Sequence, residues 1–315
     1  LIISQLSVGL IANLGTLAAR KGIPAMLVPH GSMVPSADQH ALAEWREHGL
    51  GMTHTDYTYL AVQTPWTEAY LQQSPGPSTA VRTRPLLFAR PEQRRPRVDD
   101  GGSPPTEKIV IHVGTPKARD SMRFWTYETV DEYVSNINSL IRSVEQVDGC
   151  RLLIRFRPLE HLKEDDFKAL LAPSACYEIC SQGSLSDYLG LADLLVSYSS
   201  TAIEEALQLR IPVLQYDPQG KYCHVKGPVL DPNEAPEVGS CYFVAREEHL
   251  TWSLRWLMAN HLSMSQPDSL WDEHRFETAP GLRPFLETIG LVASAGRPMP
   301  TESADELKRA AWIRP

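Results

Sequence analysis

Apolar positions along this chain follow two rhythms that keep exchanging. Short, nearly continuous apolar runs alternate with segments whose apolar residues lie three and four apart. The first pattern fits strands buried on both faces of a parallel sheet, and the second fits amphipathic helices. The densest instance is Asp193 to Asp217, DLLVSYSSTAIEEALQLRIPVLQYD. Asp193–Ser197 reads as a buried strand, Ser199-Ser200-Thr201 as the turn opening a helix, and Ile211–Tyr216 as the next strand. Upstream, Lys108–Val113 predicts a strand and Gly114-Thr115-Pro116 a turn. Thr129–Gln146 predicts a helix with Val130, Tyr133, Val134, Ile137, Leu140, Ile141 and Val144 on one face. Arg151–Phe156 and Tyr177–Ile179 predict strands, and Asp165–Leu171 and Leu185–Leu191 helices. Such alternation implies a parallel sheet with right-handed crossovers, a Rossmann-like unit.

The first part of the chain repeats the rhythm less completely. Leu1–Ile3, Pro24–Val28, Tyr57–Gln63 and Ala80–Arg84 predict strands; Val8–Arg20 and Pro65–Gln72 predict helices. Residues 91–107, PEQRRPRVDDGGSPPTE, carry no periodic apolar pattern and read as a linker. From His249 onward the chain is mainly helical, with Trp252–Leu262 and Arg283–Ile289 as helices. The expected organisation is a partial N-terminal domain over 1–90, the linker, a C-terminal domain over 108–290 and a tail over 291–315. The expected class is α/β, two Rossmann-like domains facing a cleft. The chain opens at Leu1 in what reads as mid-strand, so N-terminal sequence is expected to be missing and the first domain truncated.

Composition narrows the function without naming it. The 315 residues are 43% hydrophobic and 22% charged, as in a globular protein, and a net charge of −8 disfavours nucleic-acid binding. No apolar run approaches the ~20 residues of a membrane span. The five cysteines lack ligand spacing; Cys176 and Cys180 read as packing residues, and a reducing cytoplasm is the simplest compartment. The 25 prolines punctuate loops. There is no P-loop, no G-x-G-x-x-G, no nucleophile elbow and no zinc spacing, so no metal and no cofactor are expected.

Candidate chemistry gathers in loops at the carboxyl ends of predicted strands, where open α/β sheets bind ligands. In the first, His30-Gly31, the imidazole can accept a proton from an attacking hydroxyl, and Gly31 permits close backbone approach or an unusual φ. A local turn histidine would have the same sequence. In the second, strand alternation puts Arg155 and Arg157 on one side, as a bidentate phosphate clamp or as surface ion-pair arginines. The third is Ser199-Ser200-Thr201, whose hydroxyls and following N–H groups suit a phosphate, or simply cap the helix; Glu204 and Glu205 follow one turn in. Gly114-Thr115, with Lys117 and Arg119 behind, is a fourth, weaker signal.

Together these residues resemble the GT-B glycosyltransferases, and more narrowly the bacterial cell-surface polymer group. That group includes capsule-type sialyl and Kdo transferases and the CDP-glycerol glycerophosphotransferases. His30-Gly31 is similar to its N-domain His-Gly, and Ser199-Ser200 to its Ser-Ser turn. Arg157-Pro158 stands where the group carries His-Pro, and an arginine is no general acid at neutral pH. The resemblance implies transfer of a sugar or polyol phosphate from a nucleotide-activated donor to a glycan or lipid-linked acceptor. Gly114, Thr115, Arg155, Arg157, Ser199, Ser200, Thr201, Glu204 and Glu205 would serve the donor, and His30 would be the base or position the acceptor. Glu204 or Glu205 would reach ribose or sugar hydroxyls. Cytoplasmic location, with association at the inner membrane face, is implied too. The alternatives are a non-hydrolysing UDP-sugar 2-epimerase, which shares the architecture, and a non-catalytic nucleotide-sugar-binding module.

Overall fold

The computed structural model describes residues 1–86 apart from Ser32 and Ala37, then 107–117, 123–160, 162–264, 269–276, Ala279 and 281–288. Residues 91–106 of the expected linker over 91–107, Arg119 and the expected tail over 291–315 lie outside the described residues.

The first domain holds strands β1 (Ile2–Ser4), β2 (Ala25–Leu27), β3 (Tyr59–Val62) and β4 (Thr79–Arg82) in the order β1-β2-β3-β4, all parallel. Helices α1 (Leu10–Arg20), α2 (Gln39–Gly49) and α3 (Pro65–Gln73) connect them. The second domain holds β5 (Lys108–Val113), β6 (Cys150–Arg155), β7 (Tyr177–Cys180), β8 (Leu194–Ser197), β9 (Val213–Tyr216) and β10 (Cys241–Val244). Its helices are α4 (Val130–Val144), α5 (Glu164–Leu170), α6 (Leu185–Leu189), α7 (Ala202–Gln208), α8 (Glu247–Met264) and α9 (Ser269–Asp272). The order β10-β9-β8-β5-β6-β7, all parallel, is the doubly wound Rossmann order.

Alternation along each buried strand separates two cores. Val110, Leu152, Ile154 and Val196 face Tyr133, Ile137, Leu140 and Ile141 of α4 and Leu250 and Leu254 of α8. Ile109, Ile111, Leu153 and Leu195 face Ala202, Ile203 and Ala206 of α7 and Trp271 of α9. Each fully buried aliphatic side chain contributes about 1.5–3 kcal/mol. Thr129 starts α4 with a capping box closed by Glu132. Helix α10 (Leu282–Thr288) returns to the first sheet, where Phe285 and Leu286 pack on Met26, Val28 and Ala61. Among the described residues, no helix is long and apolar enough to cross a membrane.

The fold therefore matches the expected class, two Rossmann-like α/β domains. They meet through an aromatic cluster in which Met33, Val34 and Trp45 of the first domain pack with Tyr198 and Tyr222 of the second.

Candidate functional site

In the doubly wound sheet, β5 and β8 are neighbours whose connections run to opposite sides, so their carboxyl ends flank the topological switch point. The loops there are Gly114-Thr115 and Tyr198–Thr201. Ser197 Oγ ties the two strand ends by donating to Val113 O at 2.7 Å. Gly114 is buried: a Cβ there would lie 3.1 Å from Tyr133 and 3.3 Å from His112. Thr115 is exposed. Ser200 Oγ accepts from the Ala202 N–H at 3.2 Å, while Thr201 begins α7 without a side-chain cap.

The first domain reaches this point through the loop after β2. Gln63 Nε2 holds it by donating to Pro29 O at 2.7 Å. His30 is exposed at its tip. Gly31 is buried, and a Cβ there would lie 2.6 Å from Thr201 Cγ2. Its φ is not positive, so close approach, not unusual backbone, calls for glycine. The loop called out by His30-Gly31 and the turn called out by Ser199-Ser200-Thr201 thus touch across the domains.

Helix α2 supplies the rest of the first domain's contribution. Asp38 caps it, accepting from the Ala41 N–H at 2.9 Å. Glu44 accepts from the backbone N–H of Trp125 and Thr126 and from Thr126 Oγ1, at 2.8–3.1 Å. The same segment is held from the other side, where Tyr198 Oη donates to Trp125 O at 2.6 Å and Ser199 Oγ to Thr126 O at 2.5 Å. Arg123 donates to His48 Nδ1 at 2.6 Å, because a guanidinium can only donate. His48 is held down at about 4, first by burial and then by the charges of Arg123 and Lys117. Burial, then Arg123 and Arg157, also lower Lys117. Cations from separate loops therefore converge here.

Two buried carboxylates are shifted by their surroundings. Glu128 is buried, accepts from Asn136 Nδ2 at 2.8 Å, and is pushed up to about 7, chiefly by burial. Burial also raises Asp217, opposed by the backbone N–H groups of Tyr222, Lys221 and Gln219.

Three expected donor residues are otherwise engaged. Arg155 donates to Cys180 O at 2.6 Å and Gly183 O at 2.8 Å and lies over the Tyr188 ring, so it fastens the loop after β7 instead of forming a clamp. Strand β6 ends at Arg155, so alternation does not carry on to Arg157, which is exposed and within electrostatic range of Lys117. Glu204 is turned inward, its carboxylate bound to His224 Nε2 at 3.0 Å with both side chains fully buried. It ends a chain in which Trp45 Nε1 donates to Tyr222 Oη at 2.6 Å and Tyr222 Oη meets His224 Nδ1 at 3.0 Å. His224 holds Oε1 of this carboxylate, and Oε2 is buried with no hydrogen-bond partner among the described residues. Ser199 spends its hydroxyl on Thr126, so of the three turn residues Ser200 and Thr201 are nearer to being available. Glu205 is half-buried on the same helix.

Sequence reasoning missed α2 and with it Glu44, Trp45 and His48. The Asp38 cap and the Ala41–Trp45 spacing were the available signals.

No protein family's profile matches the sequence, and no curated protein matches it. Solved structures do. The S. aureus MnaA–UDP co-structure superposes with a TM-score of 0.51 at 11% identity, covering 95% of this chain and 76% of that one. The UDP-GlcNAc 2-epimerase from Neisseria meningitidis bound to UDP-GlcNAc gives 0.50 at 12%, covering 89% and 73%. A variant of the wall teichoic acid polymerase TagF with CDPG gives 0.50 at 13%, covering 91% and 71%. At these identities the likeness shows the fold, two Rossmann-like domains in the GT-B arrangement.

Proposed function

We propose that this chain is a GT-B-type glycosyltransferase that moves a sugar, or a polyol phosphate, from a nucleotide-activated donor to a glycan or lipid-linked acceptor in cell-surface polysaccharide assembly. One observation carries the reading: the switch point of the second sheet faces the His30-Gly31 loop of the first domain, with Gly31 against Thr201. A donor seated at the ends of β5 and β8 has its phosphates beside Gly114, Thr115, Ser200 and Thr201 and near Arg157. Its transferred group points toward the first domain. His30 takes the proton of the acceptor hydroxyl as that oxygen bonds to the reacting centre. The bond to the leaving phosphate breaks, and its electron pair stays on the phosphate oxygen. Fixed cations around that oxygen stabilise the charge as it develops, the term that usually dominates such steps. The fold shared with structures bound to UDP, UDP-GlcNAc and CDPG supports a nucleotide-linked ligand.

The same likeness supports a second reading, a UDP-sugar 2-epimerase, because two of those structures are linked to that activity or to UDP. Incubation with CMP-, CDP-, UDP- and GDP-activated sugars separates the two. Transfer predicts nucleotide release that depends on a glycan acceptor. Epimerisation predicts a change of the sugar with no acceptor, and a binding module predicts saturable binding with neither. Absence of any nucleotide binding contradicts all three.

A further inference from the structure

The segment from Arg123 to Thr126 belongs to the second domain but is gripped by the first. Glu44 gathers two backbone N–H groups and one hydroxyl from Trp125 and Thr126 onto a single carboxylate. His40 stacks on Trp125 with ring centroids 4.9 Å apart, and His48 receives Arg123. From the second domain, Tyr198 and Ser199 hold the two intervening carbonyls. The result is a strap pinned between helix α2 and the turn after β8. Arg123 and Lys117 both lie against the Tyr127 ring, at 5.9 and 4.1 Å from its centroid, which puts their charges on one small patch. Because Arg123 occupies Nδ1 of His48, the neutral ring carries its proton on Nε2, so it offers a donor and not a base.

We infer that Glu44 is a positioning residue for an anion seat at the domain boundary, where Arg123 and Lys117, with Arg157 near by, take the phosphate groups of a diphosphate-bearing ligand. Glu44 touches no phosphate itself. It fixes the strap that carries Arg123, and because it sits on the other domain, the seat is complete only when the two domains are together. This rests on the proposed reading for the nature of the whole ligand, but the seat itself requires only a polyanion of pyrophosphate size.

Inorganic pyrophosphate, a nucleoside diphosphate and the matching uncharged nucleoside are titrated calorimetrically into the full chain and into Glu44→Ala, Glu44→Asp and Arg123→Gln. A lost hydrogen bond to a charged group corresponds to about a tenfold to hundredfold loss of affinity. Arg123→Gln and Glu44→Ala are expected to lose that much for pyrophosphate and the diphosphate while nucleoside affinity is unchanged, and Glu44→Asp is expected to recover part of it. A merely structural glutamate would weaken nucleoside and diphosphate alike, and that result overturns the positioning role. Unchanged pyrophosphate affinity in Arg123→Gln, or no pyrophosphate binding by the parent chain, overturns the seat. Should Glu44→Ala not fold, Arg123→Gln and Glu44→Asp decide the matter. Pyrophosphate binding that depends on Arg123, without turnover or binding of any nucleotide sugar, keeps the seat and removes the transferase reading.

Discussion

Replacing Gly31 with alanine puts a methyl group where Thr201 already stands. The new Cβ would lie 2.6 Å from Thr201 Cγ2, 3.4 Å from its Cβ and 3.7 Å from Oγ1. Carbon atoms in contact sit about 3.5–4.0 Å apart, so one pair is short by roughly 1 Å. Alanine adopts the backbone of Gly31 without strain, because φ is not positive there, so the effect is steric alone. Relief requires Thr201 to turn or the loop after β2 to withdraw from the turn after β8. Overpacking of this kind costs about 1–3 kcal/mol. Loop and turn belong to different domains, so the cost falls on their close approach. Nucleoside diphosphate affinity is expected to drop about fivefold to a hundredfold. Thr201→Ser removes Cγ2, the atom in the way. In a double-mutant cycle read by calorimetry, Gly31→Ala on the Thr201→Ser background is therefore expected to bind nearly as well as Thr201→Ser alone. A double variant whose losses simply add refutes the contact and, with it, the convergence of the two loops.

Three further outcomes follow from the same geometry. Glu204→Ala strands the His224 Nε2–H and is expected to lower the unfolding free energy by about 1–3 kcal/mol in urea, with nucleotide affinity per folded molecule unchanged; the reverse pattern would return Glu204 to the ligand. Glu128 stands raised from 4.5 to about 7 when folded, so it contributes stability below about 4.5 that is lost as pH rises to about 7. Glu128→Gln is expected to remove that loss relative to the parent chain in pH-dependent melting; parallel curves across this window would contradict the burial of an ionisable group. His30→Ala is expected to cut turnover by ~10²–10⁴ while donor affinity persists, and normal turnover would take His30 out of the mechanism.

The second domain was legible because its strands are buried on both faces and bounded by turns. Lys108–Val113 is a strand over the predicted span, and the apolar face predicted for the helix after Thr129 is the one that packs. The first domain's α2 was not, because Glu44, Arg46, Glu47 and His48 dilute its apolar stripe and part of what Trp45 packs on, Tyr198 and Tyr222, lies in the other domain. β10, CYFV, is too short to separate from a loop by periodicity, and only pairing with β9 makes it a strand. Strand-end placement, a local property, brought the His30-Gly31 loop, Gly114-Thr115 and the turn at Ser199 to notice. Side-chain destiny was not local. Arg155 is claimed by the carbonyls of Cys180 and Gly183, and Glu204 by His224, partners distant in sequence that no spacing along the chain announces.

The most direct measurement is the structure of this chain with a nucleoside diphosphate bound, after a screen of CDP, UDP and GDP. The diphosphate is predicted at the carboxyl ends of β5 and β8, within hydrogen-bond distance of Ser200 or Thr201 and of Arg123 or Arg157, with the free end directed at His30. A chain that binds none of the three contradicts a diphosphate-bearing donor, and a diphosphate seated elsewhere contradicts the assignment of the switch point as the donor site.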